Sequence, residues 1–232
     1  MSNNKNIYPM PFCRVEVALL SLVHGRLCVT LIKRQEPPFA ELWALPGGVL
    51  RVALDQNLNA AAERIAGERL GTAPPNVQQL YAVGAKGRDP RGAEEWGLSV
   101  VFYSLVPEGS FTPTAGKRVS DLSWVPVHDQ LPPMAFDHKD LVAAAVRAAQ
   151  SDIANLDFPA GFLPERFTLP ELQTLSEQVL GKQIDKSSFR RKLRERNLVE
   201  QINGEKTQGG AHRPAGIYKL KQREKLNGQT SF

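Results

Sequence analysis

Trp43-Ala-Leu-Pro-Gly-Gly-Val-Leu-Arg-Val-Ala-Leu-Asp-Gln-Asn-Leu-Asn-Ala-Ala-Ala-Glu-Arg-Ile-Ala-Gly-Glu-Arg-Leu-Gly71 has the layout of a strand, a tight turn and a helix. The apolar run reaches Gly47 and Gly48, where a backbone without a Cβ can turn or come close to a ligand. Asp55 is placed to cap a helix from about Gln56 to Leu70, and Gly71 to stop it. Arg51, Arg64 and Glu68 set two cations and a carboxylate around this turn and helix. An ordinary Ala-rich amphipathic helix behind a Gly-Gly turn is the alternative for the helix taken alone.

This loop and helix resemble the Nudix box, Gly-x5-Glu-x7-Arg-Glu-U-x-Glu-Glu-x-Gly-U with U aliphatic, of hydrolases acting on nucleoside diphosphates linked to another group. Anchored on Gly71, Arg64 takes the motif's arginine, Ala66 its aliphatic position and Glu68 the first glutamate of the closing pair. Ile65 and Arg69 stand where the family has glutamates. Counted from Gly48, the early glutamate falls on Leu54, and Asp55 is an approximate substitute. Family members hold magnesium with those carboxylates, and a hard cation needs several oxygen ligands. Here Glu68 is nearly alone, and Glu63 lies roughly 140° around the helix from it. The resemblance therefore implies a surviving ligand pocket, with no catalytic residue, no metal site and no required cofactor.

Working outward, Cys13 to Val23 and Arg26 to Arg34 read as strands joined by a His24-Gly25 turn. Further strands are expected at Val77 to Ala85, Leu98 to Val106 and Leu122 to Val127. A helix from about His138 to Ser151, capped by Asp137, has Leu141, Val142, Ala145 and Val146 on one stripe. Strands with a few flanking helices imply an α+β sandwich. Arg88-Asp-Pro-Arg-Gly92 before an apolar strand, and Leu131-Pro-Pro-Met-Ala-Phe-Asp-His138 after Trp124-Val-Pro-Val127, resemble the Nudix branch that handles ADP-ribose and related dinucleotides. That resemblance covers roughly residues 12 to 150 and implies a Nudix-type α/β/α sandwich. In such a pocket Arg88 and Arg91 could fork onto phosphate, and Phe39, Trp43 or Trp96 could stack on adenine. Equally, the arginines could pair with Glu94 or Glu95 and the aromatics could be core or dimer contacts.

Pro and Gly interrupt the helical pattern at Asn155 to Pro164, which divides the chain into residues 1–154, a linker at 155–164 and an independent unit at 165–232. Residues 1 to 160 carry 15 Lys+Arg against 16 Asp+Glu, and residues 161 to 232 carry 14 against 8, so the positive excess lies in the second unit. Thr168-Leu-Pro-Glu171 is a capping box opening a helix from Leu169 to Leu180 that Gly181 ends. Asp185 can cap a second helix, Lys186 to Arg196, stopped by Asn197. Phe189 and Leu193 make its inward seam and leave Lys186, Ser187, Arg190, Arg191 and Arg194 outside. Leu198 to Ile202 and Gly216 to Leu220 read as strands around a loop carrying Lys206, His212 and Arg213. Two short helices, a broad cationic face and a hairpin look like a winged helix-turn-helix that binds double-stranded DNA. In that reading Arg190, Arg191 and Arg194 reach base edges, Lys186 and Ser187 phosphates, and the loop cations phosphates or a minor groove. A protein-interaction module is the bland alternative; RNA is disfavoured because the unit lacks the exposed aromatic platform on which single strands stack.

The whole resembles the Nudix-related transcriptional regulators of NAD metabolism, most closely in Phe189-Arg-Arg-Lys192 and His212-Arg-Pro-Ala-Gly-Ile-Tyr218. That implies a homodimeric repressor of NAD-biosynthesis or precursor-uptake genes, released from a palindromic operator by ADP-ribose as effector. The rival is an active magnesium-dependent ADP-ribose pyrophosphatase with an accessory DNA-binding domain, its metal on Glu68, Glu63 and Glu94 or Glu95. Because no run nears the ~20 apolar residues of a membrane span and the N-terminus lacks a signal core, a cytoplasmic protein without a membrane partner is expected. Cys13 and Cys28 are then reduced structural residues.

Overall fold

Val15, Val17 and Leu19 alternate with Ala18, Leu20 and Leu22 along one strand, and all six are buried. Successive side chains of a strand point to opposite faces, so this strand must be covered on both sides. The computed structural model, which describes residues 11–92, 96–159, 162–206 and 215–221, shows how that is done. The strand is β1 (Phe12–Val23), at the centre of a mixed sheet with β2 (Arg26–Arg34), β3 (Trp43–Ala44), β4 (Gly47–Val49), β5 (Gln78–Lys86), β6 (Trp96–Val106) and β7 (Val119–Pro126). Val15, Val17 and Leu19 share a core with Ile65, Ala66 and Leu70 of helix α1 (Leu58–Leu70). Ala18, Leu20 and Leu22 share the opposite core with Leu141, Val142 and Ala145 of α2 (His138–Ala154). The result is the α/β/α sandwich that the resemblance implies.

The strand order is β3-β2-β1-β6-β5, with β4 on β1 and β7 on β2. β1 and β2 form the hairpin at His24-Gly25, whose φ values of 50° and 72° suit a two-residue turn matching the strand twist. β1 runs parallel to β6 from Phe12 opposite Gly97 to Ser21 opposite Val106. β4 lies antiparallel to the start of β1, with Glu16 opposite Gly47 and Arg14 opposite Val49. This short pairing holds the Gly-Gly turn against the first residues of the central strand.

Two expected caps differ. α1 begins at Leu58 and is capped by Asn57, whose side chain accepts from the Ala60 amide at 2.9 Å. Asp55 is diverted to Arg64 and to the Arg51 amide, so it closes the loop instead of the helix. Asp137 occupies the N-cap position of α2 but makes no capping bond, because Arg88 takes its carboxylate. α2 also continues past Ser151 to Ala154.

The C-terminal helices follow the sequence reading closely. α3 (Leu169–Leu180) has both bonds of the Thr168–Glu171 capping box and ends on Gly181 at φ 66°. α4 (Lys186–Glu195) is capped by Asp185, which accepts from the Ser188 amide at 2.8 Å, and buries Phe189 and Leu193. β8 (Phe167–Thr168), β9 (Val199–Lys206) and β10 (Gly216–Leu220) form a sheet ordered β8-β10-β9. Two-residue β8 carries no periodicity to detect, and β9 extends beyond the expected end at Ile202 through residues 203–206. His212 and Arg213 lie outside the described residues.

The segment expected as a linker is packed. Leu156, Phe162 and Leu163 are buried in the same core as Leu20 and Leu141 of the sandwich and Leu172, Val179, Phe189 and Leu193 of the winged helix. Gln150 of α2 donates to the Val179 carbonyl at 3.2 Å, and Arg196, after α4, donates to the Asn155 carbonyl at 2.5 Å. The second unit is therefore not independent of the first. Phe162→Ala is expected to cost about 3–5 kcal/mol in urea unfolding, with one transition reporting on both units; a loss below about 1 kcal/mol would contradict the shared core.

Candidate functional site

β1, β2, β4 and α1 converge on a cleft at the end of the sheet. Among the described residues lining it are seven arginines, Arg14, Arg34, Arg51, Arg64, Arg69, Arg91 and Arg118, against two carboxylates, Glu36 and Glu68. Gly47 and Gly48 form part of its wall. So many cations beside few anions make a strongly positive recess.

Local bonding fixes how these charges are used. Arg64 forks onto Asp55, Nε to Oδ1 at 2.6 Å and NH2 to Oδ2 at 2.7 Å, and also donates to the Val49 carbonyl. Chiefly through that hydrogen bond, the Asp55 carboxyl is held below its usual range. Glu68 accepts from Arg51 at 3.1 Å and Arg64 at 3.4 Å. Arg69 reaches back across the turn to donate from Nε to the Gly47 carbonyl at 3.0 Å, and from its end to the Lys117 carbonyl. Burial, then the charges of Arg118 and Arg14, push its pKa below the ordinary arginine value. Arg34 is shifted the same way by burial, then by Arg91 and Arg14. The arginines thus repel one another in a half-dry recess, a strain that a multiply charged anion relieves. Guanidinium forks suit phosphate oxygens, so a diphosphate fits this cleft chemically. Among the described residues no three His, Cys, Asp or Glu are grouped to hold a metal ion.

Of the residues singled out in the sequence, Gly47, Gly48, Arg51, Arg64, Glu68 and Arg91 line this cleft. Phe39 is not among the lining residues; it is exposed, with φ 61°, and lies edge-on to Phe136 at 4.8 Å, while the cleft arginines Arg34 and Arg91 lie over the Phe136 ring at 5.1 and 5.3 Å. Trp43 is not among the lining residues: its indole packs on the sandwich core and its backbone pairs with Pro133 and Ala135. Arg88 is also elsewhere, forked onto Asp137 at 2.7 and 2.8 Å and bonded to Ser99 at 2.8 Å. It ties the turn after β5 to the start of α2, which leaves it no free edge for phosphate. Arg91 pairs with Asp89, and the alternative partners Glu94 and Glu95 lie outside the described residues. Arg14, Arg34, Arg69 and Arg118 line the cleft without having been expected there; the detectable signal was Arg14-Val-Glu16, two charges opening an apolar strand.

On the winged helix, Lys186, Ser187, Arg191 and Arg194 are exposed on α4. At 100° per residue, Ser187, Arg191 and Arg194 lie opposite the Phe189–Leu193 seam. Arg190 departs from the expected row: it is only half exposed, and its Nε is buried without a hydrogen-bond partner. Arg191 and Glu195 approach to 3.4 Å, but both side chains are more than half exposed and the pair holds Arg191 weakly.

The profile of the NUDIX domain matches residues 14–145, and that of the NrtR DNA-binding winged helix domain matches residues 159–220. The chain is 34% identical over 217 residues to the ADPR responsive transcriptional repressor NtrR of Acinetobacter baylyi, covering 93% of this chain and 84% of that one. Shewanella oneidensis NrtR complexed with a 27mer DNA superposes with a TM-score of 0.72 at 33% identity, over 90% of this chain and 93% of that one. The NUDIX domain of that NrtR complexed with ADP ribose matches 61% of this chain and 90% of its own, with a TM-score of 0.54 at 31% identity. A NUDIX domain over more than half the chain, followed by this winged helix, shows that the chain belongs to the Nudix family, among the NrtR-type regulators.

Proposed function

We propose that this chain represses transcription of NAD-biosynthesis or precursor-uptake genes and is released from DNA by ADP-ribose held in the arginine-lined cleft. The observation that carries this reading is the pairing of a strongly cationic, carboxylate-poor cleft with an outward cationic helix on the same core. A diphosphate answers the charge of the cleft, the Phe39–Phe136 edge offers adenine an aromatic face, and Arg191 and Arg194 project as a recognition helix requires. The protein acts as a homodimer on a palindromic operator, because two-fold half-sites are read by two-fold related helices. Lys206, His212 and Arg213 of the wing add phosphate or minor-groove contacts.

In this reading the cleft is a sensor and does not turn over its ligand efficiently. Glu68 is neutralised by Arg51 and Arg64, and Arg69 donates into the Gly47 carbonyl where a cation would otherwise seek oxygen. ADP-ribose then acts only through its different affinity for the DNA-competent and DNA-incompetent arrangements.

Glu68→Gln separates a sensor from a pyrophosphatase. A sensor keeps ADP-ribose-driven release of labelled operator DNA, with AMP formation no higher than background with magnesium; magnesium-dependent AMP release that Glu68→Gln abolishes would establish the enzyme instead. For the recognition helix, Arg191→Ala or Arg194→Ala should cost ~1–3 kcal/mol on operator DNA and much less on random duplex, whereas Lys186→Ala should weaken both alike. Equal losses on both duplexes for every variant would remove the base-reading assignment.

A further inference from the structure

Arg14 and Glu16 stand two residues apart, so they share one face of β1, and both are buried ahead of Ala18, Leu20 and Leu22 on that face. Buried charges persist where they are paired, and Arg14 Nε donates to Glu16 Oε1 at 2.8 Å. The bond engages only one edge of the guanidinium, while Arg14 also lines the cleft. Burial disfavours its charge, but the carboxylates of Glu16 and, less, Asp89 together offset this and hold Arg14 above the ordinary arginine value. Arg14 therefore stays a cation at the cleft wall with its orientation set from behind.

Besides Arg14, two neighbours confine Glu16. Gly47 lies opposite it in the β1–β4 ladder, and a Cβ there would fall 1.6 Å from Glu16 Oε2 but 3.1 Å from the Arg14 terminal nitrogen. His138 accepts from the Leu45 amide at Nδ1, which leaves its proton on Nε2, 3.9 Å from Glu16 Oε1. Glu16 Oε2 itself is buried without a hydrogen-bond partner. A carboxylate this confined serves one described strong partner, Arg14. Of the other cleft arginines, Arg51 and Arg64 bond to Glu68 and Asp55, Arg69 and Arg34 to main-chain carbonyls and Arg91 to Asp89, while Arg118 is exposed and approaches Glu36 at 3.4 Å; Arg14 is the one buried arginine of the seven.

We propose that Arg14 is the residue that fixes the diphosphate of the bound nucleotide, and that Glu16, seated in the space left by Gly47, is the positioning residue that holds it. The proposal rests on the ligand reading above, deepens it, and makes Gly47 a requirement of ligand binding through Glu16.

The test is calorimetric titration of the full chain with ADP-ribose and, separately, with inorganic pyrophosphate in chelator-treated buffer. Arg14→Lys should lose about 10- to 100-fold in affinity for both, since an ammonium cannot reproduce the fork. Glu16→Ala should lose about tenfold or more, and Glu16→Gln, which keeps an acceptor for Arg14 Nε, should recover to within about threefold of wild type. Gly47→Ala should lose about tenfold or more alone but little further in the Glu16→Ala background, where its steric target is gone. Wild-type-like pyrophosphate binding by Arg14→Lys, or an undiminished Gly47→Ala loss in that background, would overturn the proposal. If wild type binds pyrophosphate but not ADP-ribose, the ligand reading falls while the pyrophosphate series still judges Arg14; binding of neither overturns both.

Discussion

Burial of β1 on both faces is the constraint from which the other features of the molecule follow. A strand apolar on both sides demands a helix over each, and α1 and α2 answer that demand. On the face of β1 that carries Ala18, Leu20 and Leu22 the buried apolar side chains begin only after Glu16, so the charged start of that face emerges beside the ends of its neighbours. There β4 brings in the Gly-Gly turn and α1 its arginines. The cleft is thus a consequence of where the two-sided core stops.

Charge then decides what the cleft can hold. A metal-dependent hydrolase concentrates carboxylates at such a helix, whereas here seven arginines face two glutamates, and one of these, Glu68, is spanned by two guanidinium groups. Arg69 in place of a carboxylate changes more than net charge, because its bond to the Gly47 carbonyl occupies a main-chain oxygen at the turn. An arginine at this position also adds to the attraction of the cleft for a diphosphate.

Much of this was legible in the sequence wherever the signal is local. Gly71, Gly181, the Thr168–Glu171 box and the Phe189–Leu193 seam each depend on residues a few positions apart, and the helices of the winged unit were read almost to the residue. The misplacements came from long-range competition. Asp55 was a plausible cap until Arg64, nine residues on, took its carboxylate. Arg88 was a plausible phosphate ligand, but Asp137, 49 residues away, takes its fork. Arg14, Arg34, Arg69 and Arg118 come from four separate segments, and only folding makes them one site. Likewise, Pro and Gly at residues 155–164 correctly ended a helix but gave no sign that Phe162 enters the sandwich core.

That shared core connects the cleft side of the sandwich to α4. α2 begins at His138, beside Glu16, and its far end contacts α3 and, through Asn155, the residue following α4. If both ligands bias one packed arrangement, their binding free energies are reciprocally linked. The direct measurement is the affinity of ADP-ribose for the free protein and for the operator-bound protein, in chelator. A ligand-released repressor binds ADP-ribose more weakly in the DNA complex, by the same factor by which ADP-ribose weakens DNA binding. Equal affinity for the two forms would mean that cleft and recognition helix are uncoupled, and would contradict a ligand-released repressor.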